Sequence, residues 1–158
     1  NRLHEARDKS GEYRTKDILP AIRDRIAVWE TILQRQLWEV PGDAVPKQST
    51  RFGKGHAYPD KRVQQYSTKV KFYAMNAIKE LRPWFADSWV SVQVTCYLGT
   101  RRRVDVDNLA KNIKDSLKGV AYVDDYQVTD LHSSKRYDPS RPRTVVRITE
   151  GVEFGGAT

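Results

Sequence analysis

Cysteine, histidine and long apolar runs are scarce in this sequence. Its one cysteine, Cys96, can form no disulfide within the chain and cannot supply the several thiolates of a Cys-rich zinc site. Its three histidines, His4, His56 and His132, stand too far apart to form a local cluster. A lone thiol suits a reducing interior. No stretch approaches the roughly 20 apolar residues of a membrane span, and no signal peptide is visible at the start as given. A soluble, cytoplasmic chain is expected. Internal repeats and low-complexity tracts are also absent, so no repeat architecture is expected.

What is present is positive charge. Lysine and arginine number 28 against 20 aspartates and glutamates, a net charge of +8. The isoelectric point is about 9.6. Such a balance suits a polyanion, nucleic acid above all, although a basic surface with no dedicated partner has the same composition. The 158 residues are the size of one domain and can bury a core without disulfides.

The opening, Asn1 to Arg14, is polar and charge-dense. A helix is expected over Asp17–Gln34, with Asp17 as cap and Pro20 in the first turn, where its missing N–H costs nothing. Ile18, Ile22, Ile26, Trp29 and Leu33 form its apolar stripe, facing the core or a partner subunit. Gln36–Val40 reads as a short strand stopped by Pro41-Gly42. The loop Ala44–Asp60 carries Lys47, Arg51 and Lys54 among Gly53, Gly55, Phe52, His56 and Tyr58. Cations and flat side chains on a glycine-bearing loop suit phosphate contact and base stacking, and a plain solvated loop fits equally. A long helix over Asp60–Leu81 follows, ended by Pro83. Val90, Val92, Val94, Cys96 and Leu98 mark the apolar face of a half-buried strand. Past Gly99 and Arg101-Arg102-Arg103, a helix opens at Asp107 and runs to about Lys118, with Gly119 placed to end it. Tyr126–Tyr137 and Thr144–Glu150 read as two strands of a hairpin, with Asp138, Pro139, Ser140 and Pro142 in its loop. The expected class is α+β, a small mixed β-sheet with helices packed on it. Residues 1–35 form an N-terminal extension with one amphipathic helix, 36–150 the main domain, and 151–158 a tail.

The chemistry concentrates between Arg101 and Asp130. Asp105 and Asp107 flank one residue at a helix start, where two carboxylates aimed at one point would suit a hard cation such as Mg²⁺ or Mn²⁺. Asp124 and Asp125 follow after one helix and a short return, which can bring a third carboxylate beside the first two. Lys111 lies one helical turn beyond Asp107, able to stabilise charge developing on a phosphate. Plainer readings stay open: Asp107 as a helix cap, Asp124-Asp125 as a turn, Lys111 as a surface partner of Asp107 or Asp115. A calcium-binding loop is excluded, because the fifth and sixth positions from Asp105 are Leu109 and Ala110 where an oxygen ligand and glycine are needed.

The ordered string Asp105-Val106-Asp107-Asn108, Lys111, Asp115, Leu117, Gly119, Asp124-Asp125-x-Gln127-Val128, Lys135 and Tyr137 resembles the RusA family of Holliday junction resolvases. Val40-Pro41-Gly42, Val45-Pro46-Lys47-Gln48 and Arg51-Phe52 extend the similarity, which spans roughly Gln36 to Glu150. The resemblance implies a RusA-like α+β homodimer that binds four-way DNA junctions. It implies a crossover junction endodeoxyribonuclease of recombination and repair, common in prophages, that makes paired symmetric nicks with Mg²⁺, for which Mn²⁺ can substitute. On this resemblance the essential aspartates fall on Asp105, Asp107 and Asp125, the site lysine on Lys111, and Asp124 stands beside them as a further ligand candidate. Lys47, Arg51, Lys54, Arg101, Arg102 and Arg103 are the expected DNA-backbone contacts. A junction binder without turnover, or a nuclease preferring flaps or forks, are the alternatives. The Asp17–Gln34 helix has no counterpart in the family pattern.

Overall fold

Chain order is α1 (Thr15–Gln36), β1 (Leu37–Pro41), β2 (Arg51–Gly53), β3 (His56–Tyr58), α2 (Lys61–Ile78), β4 (Val90–Leu98), α3 (Val106–Leu117), β5 (Val128–Tyr137) and β6 (Arg143–Glu150). The structure, a computed structural model, describes residues 15–47, 51–53, 56–58, 60–80 and 83–153. The chain divides into two units, residues 1–35 and 36–158, each taken by itself below. Among the described residues no helix is long and apolar enough to cross a membrane.

The second unit is built on β4. Its Val90, Val92, Val94, Cys96 and Leu98 are all buried, while Ser91, Gln93, Thr95 and Tyr97 point the other way. A strand with an unbroken apolar face belongs in the middle of a sheet, and the observed order is β1-β6-β4-β5. β4 pairs antiparallel with β6 and parallel with β5. β6 is the other inner strand, with Thr144, Val146 and Ile148 buried. β5, largely exposed, takes the edge. The inward face carries two helices: α2 contributes Tyr66, Val70, Ala74 and Ile78, and α3 contributes Leu109, Ile113 and Leu117. A separate antiparallel ribbon pairs β2 with β3.

The mixed sheet and its helices match the expected α+β class. One expectation fails: β5 and β6 do not form a hairpin, because β4 lies between them. Leaving β4 at an edge would expose the backbone of the most apolar strand, whereas this order pairs both of its sides. The connection from β5 to β6 therefore steps across the end of β4. It is anchored there by Asp138 N–H donating to Leu98 C=O at 2.9 Å and by Gly42 N–H donating to Pro142 C=O at 2.8 Å.

Helix ends differ from expectation by a few residues, as caps decide them. Asp60 caps α2, accepting from Arg62 N–H at 2.8 Å. That helix stops at Ile78 rather than Leu81, because Lys79 turns left-handed (φ 58°) and donates its N–H to Met75 C=O at 2.9 Å. Beyond α3, Gly119 takes the positive φ (75°) that its placement implied.

The crossing loop depends on one carboxylate. Asp138 accepts from Ser140 Oγ at 2.7 Å, Arg141 N–H at 3.1 Å and Arg143 Nη1 at 2.7 Å. The Ser140 hydroxyl, then the Arg143 guanidinium, lower its pKa from 3.8 to about 2. A depressed folded-state pKa contributes stability that is present above the ordinary value and lost as pH falls through the folded one. Asp138→Asn is therefore expected to be less stable than the unaltered chain at pH 7, with the difference shrinking from about pH 4 toward pH 2. Urea unfolding at a series of pH values measures this, and a deficit that does not change with pH contradicts it.

Candidate functional site

α3 begins at Asp105, whose backbone is extended (φ −77°, ψ 133°) as at an N-cap, yet its carboxylate makes no capping hydrogen bond. Asp107 follows in the first turn, where the helix dipole favours negative charge. Both side chains are exposed, as is Lys111 one turn further along. Among the described residues, none of these three charges takes a hydrogen bond or an ion pair with another side chain. Asp107 is not the cap, since Asp105 holds that position, and Asp105 itself makes no side-chain cap bond. Nor does Lys111 pair with Asp115, whose partner is Lys47.

The rest of this helix end is held firmly. Lys47 N–H donates to Asn108 C=O at 2.9 Å, and Asn112 Nδ2 donates to Val45 C=O at 2.8 Å. Lys47 Nζ contacts the Asp115 carboxylate, and Arg102 donates to Ala44 C=O. Together these strap the segment after β1 along α3. From β5, Lys135 Nζ donates to Val104 C=O at 2.6 Å, just ahead of Asp105. Main-chain partners thus fix the path around the two aspartates and leave their carboxylates unoccupied by hydrogen bonds.

Asp125 lies elsewhere. β5 runs parallel to β4, so Val128 sits opposite Val90 at the start of β4 and Tyr137 opposite Leu98 at its end. Asp125, three residues before Val128, therefore belongs to the opposite end of the sheet from Asp105, which follows Leu98. Its neighbours confirm the placement. Lys118 Nζ lies 2.8 Å from Asp125 Oδ1 and 2.7 Å from Asp124 Oδ1, and Lys114 Nζ lies 3.4 Å from Asp125 Oδ2. Eleven positions separate Asp107 from Lys118, which at about 1.5 Å per helical residue is roughly 16 Å. The three aspartates do not meet within one chain. Among the described residues no group of three His, Cys, Asp or Glu side chains is placed to hold a metal ion.

The carboxyl end of α3 is a self-neutralised cluster. The Lys118 ammonium, then Asp124 and Lys114, hold the Asp125 carboxyl down at about 2 against a partial opposing effect of burial, and the two carboxylates push Lys118 up. Gln127 organises this turn. Its Nε2 donates to the carbonyls of Phe85 at 2.9 Å, Ala86 at 3.2 Å and Ser88 at 2.9 Å. Its Oε1 accepts from Val123 N–H at 2.8 Å and Asp124 N–H at 3.1 Å.

The expected DNA contacts fall into three groups. Arg103 is exposed and, among the described residues, unpaired. Lys47 and Arg102 already have protein partners, and Arg101 stacks over the Tyr137 ring with its Cζ 4.7 Å from the centroid. The side chain of Arg51 and all of Lys54 lie outside the described residues. The parallel β4–β5 pairing adds Lys135 and Tyr137 at the amino end of α3. Sequence alone placed these two in a string of residues but not beside α3, because spacing does not specify that β5 runs parallel to β4.

A family profile described as endodeoxyribonuclease RusA matches residues 41–149. The uncharacterized protein YqaN of Bacillus subtilis (strain 168) is 50% identical over 46 residues, which are 29% of this chain and 32% of that protein. The chain thus spans about a third of the length of this curated relative.

Gln127 is 3% exposed, and its amide serves five backbone groups. Gln127→Ala strands those groups, so a loss of about 2–4 kcal/mol is expected. Gln127→Glu also destabilises, since a carboxylate cannot donate to three carbonyls. Equilibrium unfolding checks this; unchanged stability in both variants removes the structural role.

Proposed function

The chain belongs to the RusA endodeoxyribonuclease family, whose profile covers residues 41–149, and from that premise we propose that it is a Mg²⁺-dependent nuclease that resolves four-way DNA junctions by paired nicks. The carrying observation is the amino end of α3, where Asp105, Asp107 and Lys111 are exposed and without side-chain partners. Carboxylates left unpaired beside several cations are costly for a surface whose ligand is a phosphate chain, unless a cation joins them.

The donor set fits the metal. Mg²⁺ usually keeps several waters and binds through one or two carboxylates plus substrate phosphates. Asp105 and Asp107 are such a pair and would hold it. When bound, Mg²⁺ supplies a water of lowered pKa and polarises the scissile phosphate. Lys111 would offset the negative charge that grows on the phosphate oxygens. Arg103, Arg101 and Lys135 would grip the neighbouring backbone, with Tyr137 flat against Arg101. Sites on the C-terminal ends of strands in a strand–helix–strand unit are a common placement for anionic ligands, and this cluster follows the end of β4.

Asp125 enters this reading from a second copy. A homodimer that sets the acidic turn of one chain beside the amino end of α3 of the other would supply the third carboxylate, and Asp124 with it. Two such sites would act on two of the four strands of one junction, in the cytoplasm where the lone thiol stays reduced. The absence of a three-carboxylate group among the described residues of one chain favours a second reading, a junction binder without turnover.

Incubation with four-way, forked and linear duplex DNA separates these readings. The nuclease reading expects symmetric nicks in the four-way substrate with Mg²⁺ and none with EDTA. Asp107→Asn should bind the junction within about threefold of the unaltered chain while cutting at least about 100-fold more slowly, as loss of groups that act on developing charge does. Cutting by that variant at the unaltered rate ends the assignment, and binding by the unaltered chain with no cutting in Mg²⁺ selects the binder. A mixture tests the shared site. Asp107→Asn and Asp125→Asn are each expected to be inactive alone, but together they form mixed dimers with one complete site, so nicking returns. If mixing restores nothing, Asp125 does not act across the dimer.

A further inference from the structure

The family match begins at residue 41, so it leaves α1 without a role. This helix of 22 residues is about 33 Å long at about 1.5 Å per residue. Along it Leu19, Ile22, Ile26, Trp29 and Leu33 recur at alternating intervals of three and four, the spacing of the a and d positions of a coiled coil. The side chains described on this seam are open to solvent: Leu19 is 50% exposed, Ile22 44%, Ile26 51% and Trp29 59%. A continuous apolar seam of this kind on a helix is a surface that water disfavours and another helix fits.

The flanking charges identify the occupant. With Leu19 at a, the e positions hold Arg23 and Glu30 and the g positions include Arg25. In a parallel pair of such helices, g faces the e position five residues further on in the other copy, which sets Arg25 opposite Glu30. In an antiparallel pair e faces e, which sets Arg23 opposite Glu30. Glu30, the one acidic flank, meets an arginine in either orientation, so the seam is complementary to itself in shape and in charge.

We propose that α1 is a self-association element that pairs with α1 of a second copy of this chain through the Leu19, Ile22, Ile26 and Trp29 seam. The pairing rests on the homodimer reading above and names the segment that strengthens it. It places two nuclease domains on one assembly through residues that take no part in the chemistry.

Sedimentation equilibrium of the full chain tests this. Ile26→Glu puts a charge into the seam and is expected to weaken association at least roughly tenfold, with the far-ultraviolet spectrum unchanged because Ile26 is exposed. Glu30→Arg is expected to weaken it severalfold by setting like charges together. Adding Arg25→Glu to Glu30→Arg restores association if the helices are parallel, and adding Arg23→Glu restores it if they are antiparallel; restoration by either pair supports the seam. A chain that dimerises as tightly with Ile26→Glu as without it overturns this proposal and leaves the homodimer standing. A chain that is monomeric before any substitution overturns both. A monomer that loses thermal stability with Ile26→Glu has α1 folded onto its own domain, which also overturns self-association.

Discussion

Two strands paired in parallel cannot be joined by a tight turn. The chain must travel back the length of the sheet, and here α3 makes that journey between β4 and β5. The rest of the site follows from this constraint. The helix starts beside the end of β4 and finishes beside its beginning, so residues before α3 and residues after it are delivered to opposite ends of the sheet. Asp105 and Asp107 are at one end, Asp124 and Asp125 at the other.

The two ends then differ in electrostatic state. At the carboxyl end, Lys114 and Lys118 neutralise Asp124 and Asp125, and Gln127 ties the turn to the segment ahead of β4. That cluster is complete within one chain. At the amino end, backbone groups from the segment after β1 and Lys135 from β5 fix the path, while Asp105, Asp107 and Lys111 are left without side-chain partners among the described residues. These two carboxylates and the lysine are the set that the proposed metal site uses. For Asp125 to act on the same phosphate it must exchange its lysines for a metal held by another copy, and the unshielded end of α3 is where such a copy would find one.

Much of this was legible in the sequence because local rules dominate there. The alternation Val90, Val92, Val94, Cys96, Leu98 specified a half-buried strand, and Gly119 marked the end of α3, where only a residue tolerant of positive φ fits well. The α+β class followed from the order of elements. What spacing could not supply was topology. Four turn formers among the five residues between β5 and β6 suit a hairpin as well as they suit a step across β4, and it is the pairing of β4 with both strands that distinguishes the two. The parallel pairing of β4 with β5, which spacing did not specify either, sets Asp125 a helix length from Asp105 and brings Lys135 and Tyr137 to the site instead. Lys47 and Arg102 were readable as cations but not as braces, since their partners, Asp115 and Ala44, are distant in sequence.

In the proposed nuclease the amino end of α3 holds the divalent ion. Titration of Mn²⁺ into the full chain bound to a four-way junction, followed by electron paramagnetic resonance, tests it without requiring cleavage. The account predicts that Asp105→Asn and Asp107→Asn each weaken Mn²⁺ binding by at least roughly tenfold, the typical minimum for loss of a group on which a metal site depends, while Asp43→Asn, on the loop that accepts from Gly99 N–H, leaves it unchanged. Undiminished Mn²⁺ binding in both α3 variants would contradict it.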